Sequence, residues 1–333
     1  EFYAQGVGPG VLDGIASQRS LSLIVAVLGV LKAGAGYVPF DLALPEDRLQ
    51  FMAGDPGIRL LIGSCPSVEA LGVATLPWSD MTQSGMPRAG KSRSAPAPEV
   101  AVGPDSIAYV MFPSGTTGVP KGVVLPHRSV IRMLCDTDWL RLSAETVTLH
   151  SSAFAFDTSI IDIFAALLHG GTVVIPPDGA LSISQLSSAI SSHGVNTLWL
   201  TTGLFHAVAD LDPGVFARVD QLVVGGDVVS PSHVARVKAA CPRLHVINGY
   251  GPTESNVTNA HEVTAADLAR GMPLPIGRAV PGTQIWIVDE AMRPLPPGLR
   301  GELCIGGRGL ALGYWNRPDL TASKFVAAPW DPS

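Results

Sequence analysis

A chain of 333 residues, 47% hydrophobic and only 15% charged, can bury a large apolar core in two or three layers or in paired subdomains, which excludes a disordered protein. The formal net charge of −6 supplies no clustered Lys and Arg, so neither nucleic acid nor an anionic membrane is an expected partner. The most apolar stretch, residues 21–31, is too short to cross a bilayer, and the opening residues lack a signal-peptide pattern. Cys65, Cys135, Cys241 and Cys304 are scattered without a CxxC pair, which suits reduced thiols of a cytoplasmic protein better than a disulfide framework or zinc site. The histidines have no HExxH context and read as surface or satisfied interior groups.

In chain order, the opening residues read as a helix already in progress. Ser20 and Ser22 can cap a helix that runs to about Lys32 and stops at Gly34. Residues 37–41 form a short extended run, and the polar stretch 86–98 is the best loop or linker candidate. The middle of the chain alternates. Residues 107–112 read as a buried strand and 160–168 as a helix ended by Gly170 and Gly171. Further strands are expected at 172–175, 196–200, 221–224 and 245–248, with 232–240 helical between the last two. Such alternation predicts parallel α/β sheet. Residues 284–288 and 301–305, joined by the turn-rich 289–297, predict an antiparallel hairpin. The expected architecture is α/β: two interleaved sheet subdomains packed together over 1–275, then the start of a β-rich, barrel-like subdomain over 276–333.

Three segments carry chemistry. In the first, YVMFPSGTTGVPKG over 109–122, a strand delivers a loop of small hydroxyl and glycine residues closed by a lysine. Glycines let backbone N–H groups approach phosphate oxygens, Ser114, Thr116 and Thr117 add donors, and Lys121 supplies a point charge. It is not a Walker A loop, because Pro120 stands where the second glycine belongs and the residues after Lys121 favour strand over helix. The second segment, Asn248-Gly249-Tyr250-Gly251-Pro252-Thr253-Glu254, follows a buried strand, where α/β sheets bind ligands. There an aromatic ring can stack on a purine, an amide can read its exocyclic amine, and a carboxylate can hold Mg2+. The third, Phe156-Asp157-Thr158-Ser159, opens a helix. An Asp or Thr there is ordinarily an N-cap, whereas a buried carboxylate needs a cationic partner or several donors.

The first segment resembles the phosphate loop of adenylate-forming enzymes, the superfamily of acyl-CoA synthetases, luciferases and nonribosomal peptide synthetase adenylation domains. The resemblance implies that Ser114, Gly115, Thr116, Thr117, Gly118 and Lys121 serve the β- and γ-phosphates of ATP, with Thr116, Thr117 and Lys121 acting in catalysis. Pro113 departs from the peptide synthetase pattern, which usually has Thr. The second segment resembles the adenine and magnesium motif, so Tyr250 would stack on the base and Asn248 contact it. Gly251 and Thr253 belong to the same ATP-binding loop, and Glu254 would act in catalysis as the metal ligand. Gly226 and Asp227 resemble the segment on the other face of the adenine. The third resembles the motif whose Asp pairs with a substrate α-ammonium group, which separates amino acid activators from fatty acyl or aryl activators. Residues 31–41 and 301–314 resemble two further core motifs, the latter with Leu312 where Arg is common. The resemblance to an adenylation domain therefore covers essentially the whole chain.

Carrying the family's pocket positions over one by one names Asp157, Thr158, Ile161, Trp199, Val223, Gly225, Gly249, Val257 and Thr258. After Asp157 this lining has no charge, so a charged substrate side chain would be buried unpaired. Trp199, Ile161 and Val223 shorten the pocket, and valine is the expected substrate, with isoleucine or another small branched residue next. The resemblance further implies ATP and Mg2+ as cofactors, aminoacyl-AMP and pyrophosphate as products, and phosphopantetheine on a peptidyl carrier domain as the next acceptor. It also implies a small MbtH-like partner docking near residues 325–329. Set against the family, the sequence lacks the first stretch of the N-terminal subdomain. It stops before the Tyr-x-Thr-Gly-Asp motif and the lysine-bearing C-terminal subdomain, so poor adenylation by these residues alone is expected. Two alternatives stand beside this reading: an acyl- or aryl-CoA ligase of the same superfamily, and a non-catalytic remnant.

Overall fold

The computed structural model describes residues 5–78, 100–113, 120–135, 137–177, 179 and 181–330. The loop candidate 86–98 lies outside them, as do Ser114, Gly115, Thr116, Thr117 and Gly118. The chain divides into two compact units. One comprises Glu1–His127, Ala153–Phe156 and Ala311–Thr321, the other Arg128–Ser152, Asp157–Leu310 and Ala322–Ser333.

The first unit is built on a seven-stranded sheet. Its spatial order is Gly313–Tyr314, Val123–Pro126, Ile107–Met111, Gly36–Phe40, Leu12–Ala16, Leu60–Gly63, Ala74–Leu76. The last five run parallel, and the first two pair antiparallel at one edge. Every residue of Leu12–Ala16 and Gly36–Phe40 is buried, as central parallel strands require. Val38, Phe40, Leu61, Val110 and Phe112 share one core. Helix Leu21–Lys32 begins where expected: the Ser20 side chain accepts from Leu23 N–H at 3.1 Å, and Gly34 follows the helix at φ +86°. The helix expected at the opening falls on residues 1–4, outside the described ones; from there the chain turns, with Gly6 and Gly10 at positive φ, and passes into the strand Leu12–Ala16.

The second unit holds another seven-stranded sheet, in the order Arg278–Ala279, Asn259–Glu262, His245–Tyr250, Gln221–Gly225, Thr197–Thr201, Val147–Leu149, Thr172–Val174. Its last five strands are parallel. Helices Thr158–Leu167, Ile183–His193, Thr202–Leu211 and Pro231–Ala240 connect strands of the sheet. Leu198, Leu200, Phe205, Leu222, Val224 and Val246 form the centre of its core. Ser182 and Gln185 make a capping box for Ile183–His193, and Gly194 at φ +68° closes it. Thr283–Val288 pairs antiparallel with Glu302–Gly307, the hairpin the sequence predicts. The four cysteines are free, with Cys65 and Cys241 buried. No helix among the described residues is long and apolar enough to cross a membrane.

Candidate active site

Three adjacent parallel strands of the second unit end together, and the sequence motifs sit on those ends. Trp199 pairs with Val223 in register, and Gly225 pairs with both Thr201 and Gly249. The glycines make room for the indole. A Cβ on Gly225 would lie 3.0 Å from the Trp199 ring and collide with the Gly249 carbonyl, and one on Gly249 would lie 3.1 Å from the same ring. After Gly225 the chain turns at Gly226, φ +92°, while Thr202 Oγ1 donates to the carbonyls of Gly225 and Asp227 at 3.2 and 3.0 Å.

A cavity of about 430 Å3 opens at these strand ends. Asp157, Thr158 and Ile161 reach it from the start of helix Thr158–Leu167, and Trp199 and Gly249 from the sheet. Gly226 and Asp227 line one part, and Asn248, Tyr250, Gly251 and Val257 another. Three sequence-predicted pocket residues, Val223, Gly225 and Thr258, are buried without lining it. Val223 and Gly225 pack against Gly249 and the indole, and Thr258 N–H donates to the Tyr250 carbonyl at 2.8 Å. Thr253 and Glu254 are half-buried on the same loop, outside the lining. Lys121 belongs to the first unit, where its Nζ stands 5.6 Å over the Tyr314 ring.

The structure adds walls that sequence reasoning missed: Met133, Asn256, Pro273, Leu274 and Ile276. None carries reactive chemistry, so no motif marks them. Asn248 Nδ2 donates to the Pro275 carbonyl at 2.9 Å and anchors the apolar run Pro273-Leu274-Pro275-Ile276 beside the base-reading candidate.

Asp157 stands at the N-cap position of its helix but makes no capping hydrogen bond, and its own backbone is helical at φ −59°, ψ −26°. Its carboxylate instead accepts from Thr253 Oγ1 at 2.6 Å. Burial pushes its pKa up, the Thr253 bond opposes this, and the nearby Glu254 charge adds to the rise. Two carboxylates thus share a neighbourhood that a cation would relieve. One turn further, Asp162 is pushed up to about 7 by burial, although it accepts from the N–H groups of Ser151 and Ser152 at 2.9 and 2.8 Å. Asp162 ties the helix to the loop after strand Val147–Leu149.

A binding cavity at the carboxyl ends of parallel strands, with a half-buried carboxylate bonded to a Gly-Pro-Thr loop, defines a ligand-binding α/β enzyme site. A family model described as AMP-binding enzyme matches residues 2–315, and the chain belongs to that family. Linear gramicidin synthase subunits B and C of Brevibacillus parabrevis are 40% and 42% identical to it, each aligned to 98% of this chain. The chain spans only 6% and 4% of the length of those two relatives. Among solved structures, holo-PA1221, a nonribosomal peptide synthetase protein containing adenylation and carrier domains, superposes with a TM-score of 0.85 at 33% identity. That match covers 97% of this chain and 55% of that one. The Klebsiella oxytoca NpsA N-terminal subdomain, in complex with 3-hydroxyanthranilyl-AMSN, gives 0.87 at 28% identity, covering 100% of this chain and 83% of that one. The two large sheets with a small antiparallel one match the N-terminal subdomain of the adenylate-forming fold.

Proposed function

We propose that the chain activates an amino acid with ATP. A carboxylate oxygen of the amino acid attacks the α-phosphorus, the bond from that phosphorus to the oxygen bridging the β-phosphate breaks, and pyrophosphate leaves. The aminoacyl-AMP is then attacked at its acyl carbon by the phosphopantetheine thiol of a peptidyl carrier domain, releasing AMP. The observation that carries this reading is Asp157: a half-buried carboxylate, lining the cavity, that makes no capping hydrogen bond to its helix and is bonded to the loop bearing Glu254. An α-ammonium group supplies the positive charge that its surroundings favour.

In this reading Tyr250 stacks on the adenine, with Gly226 and Asp227 on its other face. Asn248, whose Nδ2 is engaged by Pro275, offers Oδ1 to the exocyclic amine. Glu254, half-buried on the loop bonded to Asp157, would hold Mg2+. That ion, when bound, neutralises charge on the phosphates. The phosphate loop, with Thr116, Thr117 and Lys121, serves the same oxygens, and the protein's task is positioning more than covalent help. Trp199 backed by Gly225 and Gly249, with Ile161 and Val257, suits a compact branched side chain, and valine is the proposed substrate. An MbtH-like partner near residues 325–329 and a cytoplasmic location belong to the same proposal.

The test is amino-acid-dependent exchange of pyrophosphate into ATP, run across the proteinogenic set on the protein extended through a lysine-bearing C-terminal subdomain, with an MbtH-like protein present. Exchange that peaks at valine is expected. A peak elsewhere would keep the reaction and discard the substrate. Exchange with aryl or fatty acids alone would overturn the amino acid reading.

A further inference from the structure

Arg132, on helix His127–Leu134, is a buried cation whose two terminal nitrogens donate to two backbone carbonyls and a hydroxyl. Its Nη1 donates to the Val257 carbonyl and to Thr283 Oγ1, and its Nη2 donates to the Ser255 carbonyl, each at 2.8 Å. Missing side chains keep its path open. A Cβ on Gly282 would meet Arg132 Cγ at 2.7 Å, and one on Gly309 would collide with the guanidinium.

The two accepting carbonyls flank Asn256, which sits at φ +55° in the left-handed region, a conformation that costs most non-glycine residues energy. The guanidinium fork therefore grips this turn from both sides. The same loop is closed on itself by Ser255 N–H donating to the Pro252 carbonyl and Thr258 N–H to the Tyr250 carbonyl, at 3.0 and 2.8 Å. Asn256 and Val257 line the cavity, and so does Met133, the next residue after Arg132.

We propose that Arg132 is a positioning residue for substrate specificity: it fastens the turn 255–257 to the helix bearing Met133 and so holds Met133 and Val257 at a fixed spacing in the cavity lining. The inference rests on the amino acid reading above and deepens it. Apolar pockets distinguish side chains by single methylenes only when the walls do not yield. A planar fork can serve several acceptors at fixed spacing, whereas a lysine ammonium offers a single point.

Calorimetric binding of alanyl-, valyl- and leucyl-sulfamoyl adenosine to the protein extended through a lysine-bearing C-terminal subdomain reads the side-chain pocket, because the nucleotide part is common to all three. Arg132→Lys is expected to shrink the affinity ratio between the best and worst of them by about tenfold, the scale of one lost bond to a charged donor. A lower melting temperature with an unchanged ratio would mean a purely structural role and overturn the proposal. If Arg132→Lys does not fold, Thr283→Val removes one acceptor outside the cavity. A ratio reduced by about threefold then supports the proposal, and an unchanged ratio overturns it. Absence of binding of all three by the wild-type protein would overturn the aliphatic-pocket reading and this proposal together, whereas equal discrimination by wild type and variant overturns this one alone.

Discussion

Thr253 donates its hydroxyl proton to the Asp157 carboxylate at 2.6 Å across 96 residues of sequence. The bond joins the proposed ammonium site to the loop that carries Tyr250 and Glu254, so occupancy of the amino acid site and the geometry of the ATP loop share one contact. A hydroxyl that stabilises the ionised carboxylate also lowers its pKa, against the larger effect of burial.

Removing that donor should therefore move the pH dependence of amino acid binding. In Thr253→Val the Asp157 pKa rises further, and less of the carboxylate is ionised at a given acidic pH. The KM for the amino acid is expected to increase by about tenfold at pH 6 and by less at pH 8, since a hydrogen bond to a charged group is worth about 1.5–3 kcal/mol. A KM–pH profile that keeps its wild-type midpoint would contradict the linkage.

Asp157→Ala separates substrate recognition from helix capping. If the carboxylate capped its helix, alanine would cost about 1 kcal/mol of stability. Because it makes no capping hydrogen bond and desolvation disfavours its charge, the variant should unfold at an unchanged or slightly higher urea midpoint while exchange activity falls by more than about 100-fold. Activity within a few fold of wild type would remove the proposed role.

Trp199→Leu should enlarge the cavity and move substrate preference from valine toward longer side chains. One methylene in an apolar pocket is worth about 1–3 kcal/mol, so the preference should shift by roughly 10- to 200-fold in kcat/KM. The check is the exchange panel repeated on the variant, and retention of the wild-type order would show that the indole does not bound the substrate.

Asp13, buried on the central strand Leu12–Ala16, makes stability depend on pH. Burial raises its pKa to about 6, against the Leu60 backbone and the charge of Arg59. The folded state then binds the proton more tightly than the unfolded chain, so this contribution is whole below about pH 4 and falls away as pH rises through 6. From pH 5 to pH 7.5 the loss from this group is on the order of 1 kcal/mol. Urea melts of wild type and Asp13→Asn across that range should show the slope in wild type and a flatter curve in the variant.

Local order was legible wherever period and punctuation agreed. The helix Leu21–Lys32 with its Ser20 cap, the strands Gln221–Gly225 and His245–Tyr250, and the hairpin Thr283–Val288 with Glu302–Gly307 all fall where the sequence predicts them. Helices Ile183–His193 and Thr202–Leu211 went unmarked, their polar and apolar residues being too mixed to stand out before packing is known.

The sequence by itself determined the family and the identity of the motif residues, since spacing along a chain is a one-dimensional property. Asp157, Asn248 and Tyr250 could be named without coordinates. Only the tertiary structure decided which of the named residues share a cavity and which stand behind its wall. Val223 and Gly225 support the indole without lining the pocket, because neighbouring strands bring them under it in register. Met133, Asn256 and Leu274 line it through shape alone, and shape leaves no mark in residue type. The bond from Thr253 to Asp157 and the grip of Arg132 on 255–257 depend on distances closed by folding, across separations at which sequence carries no geometry.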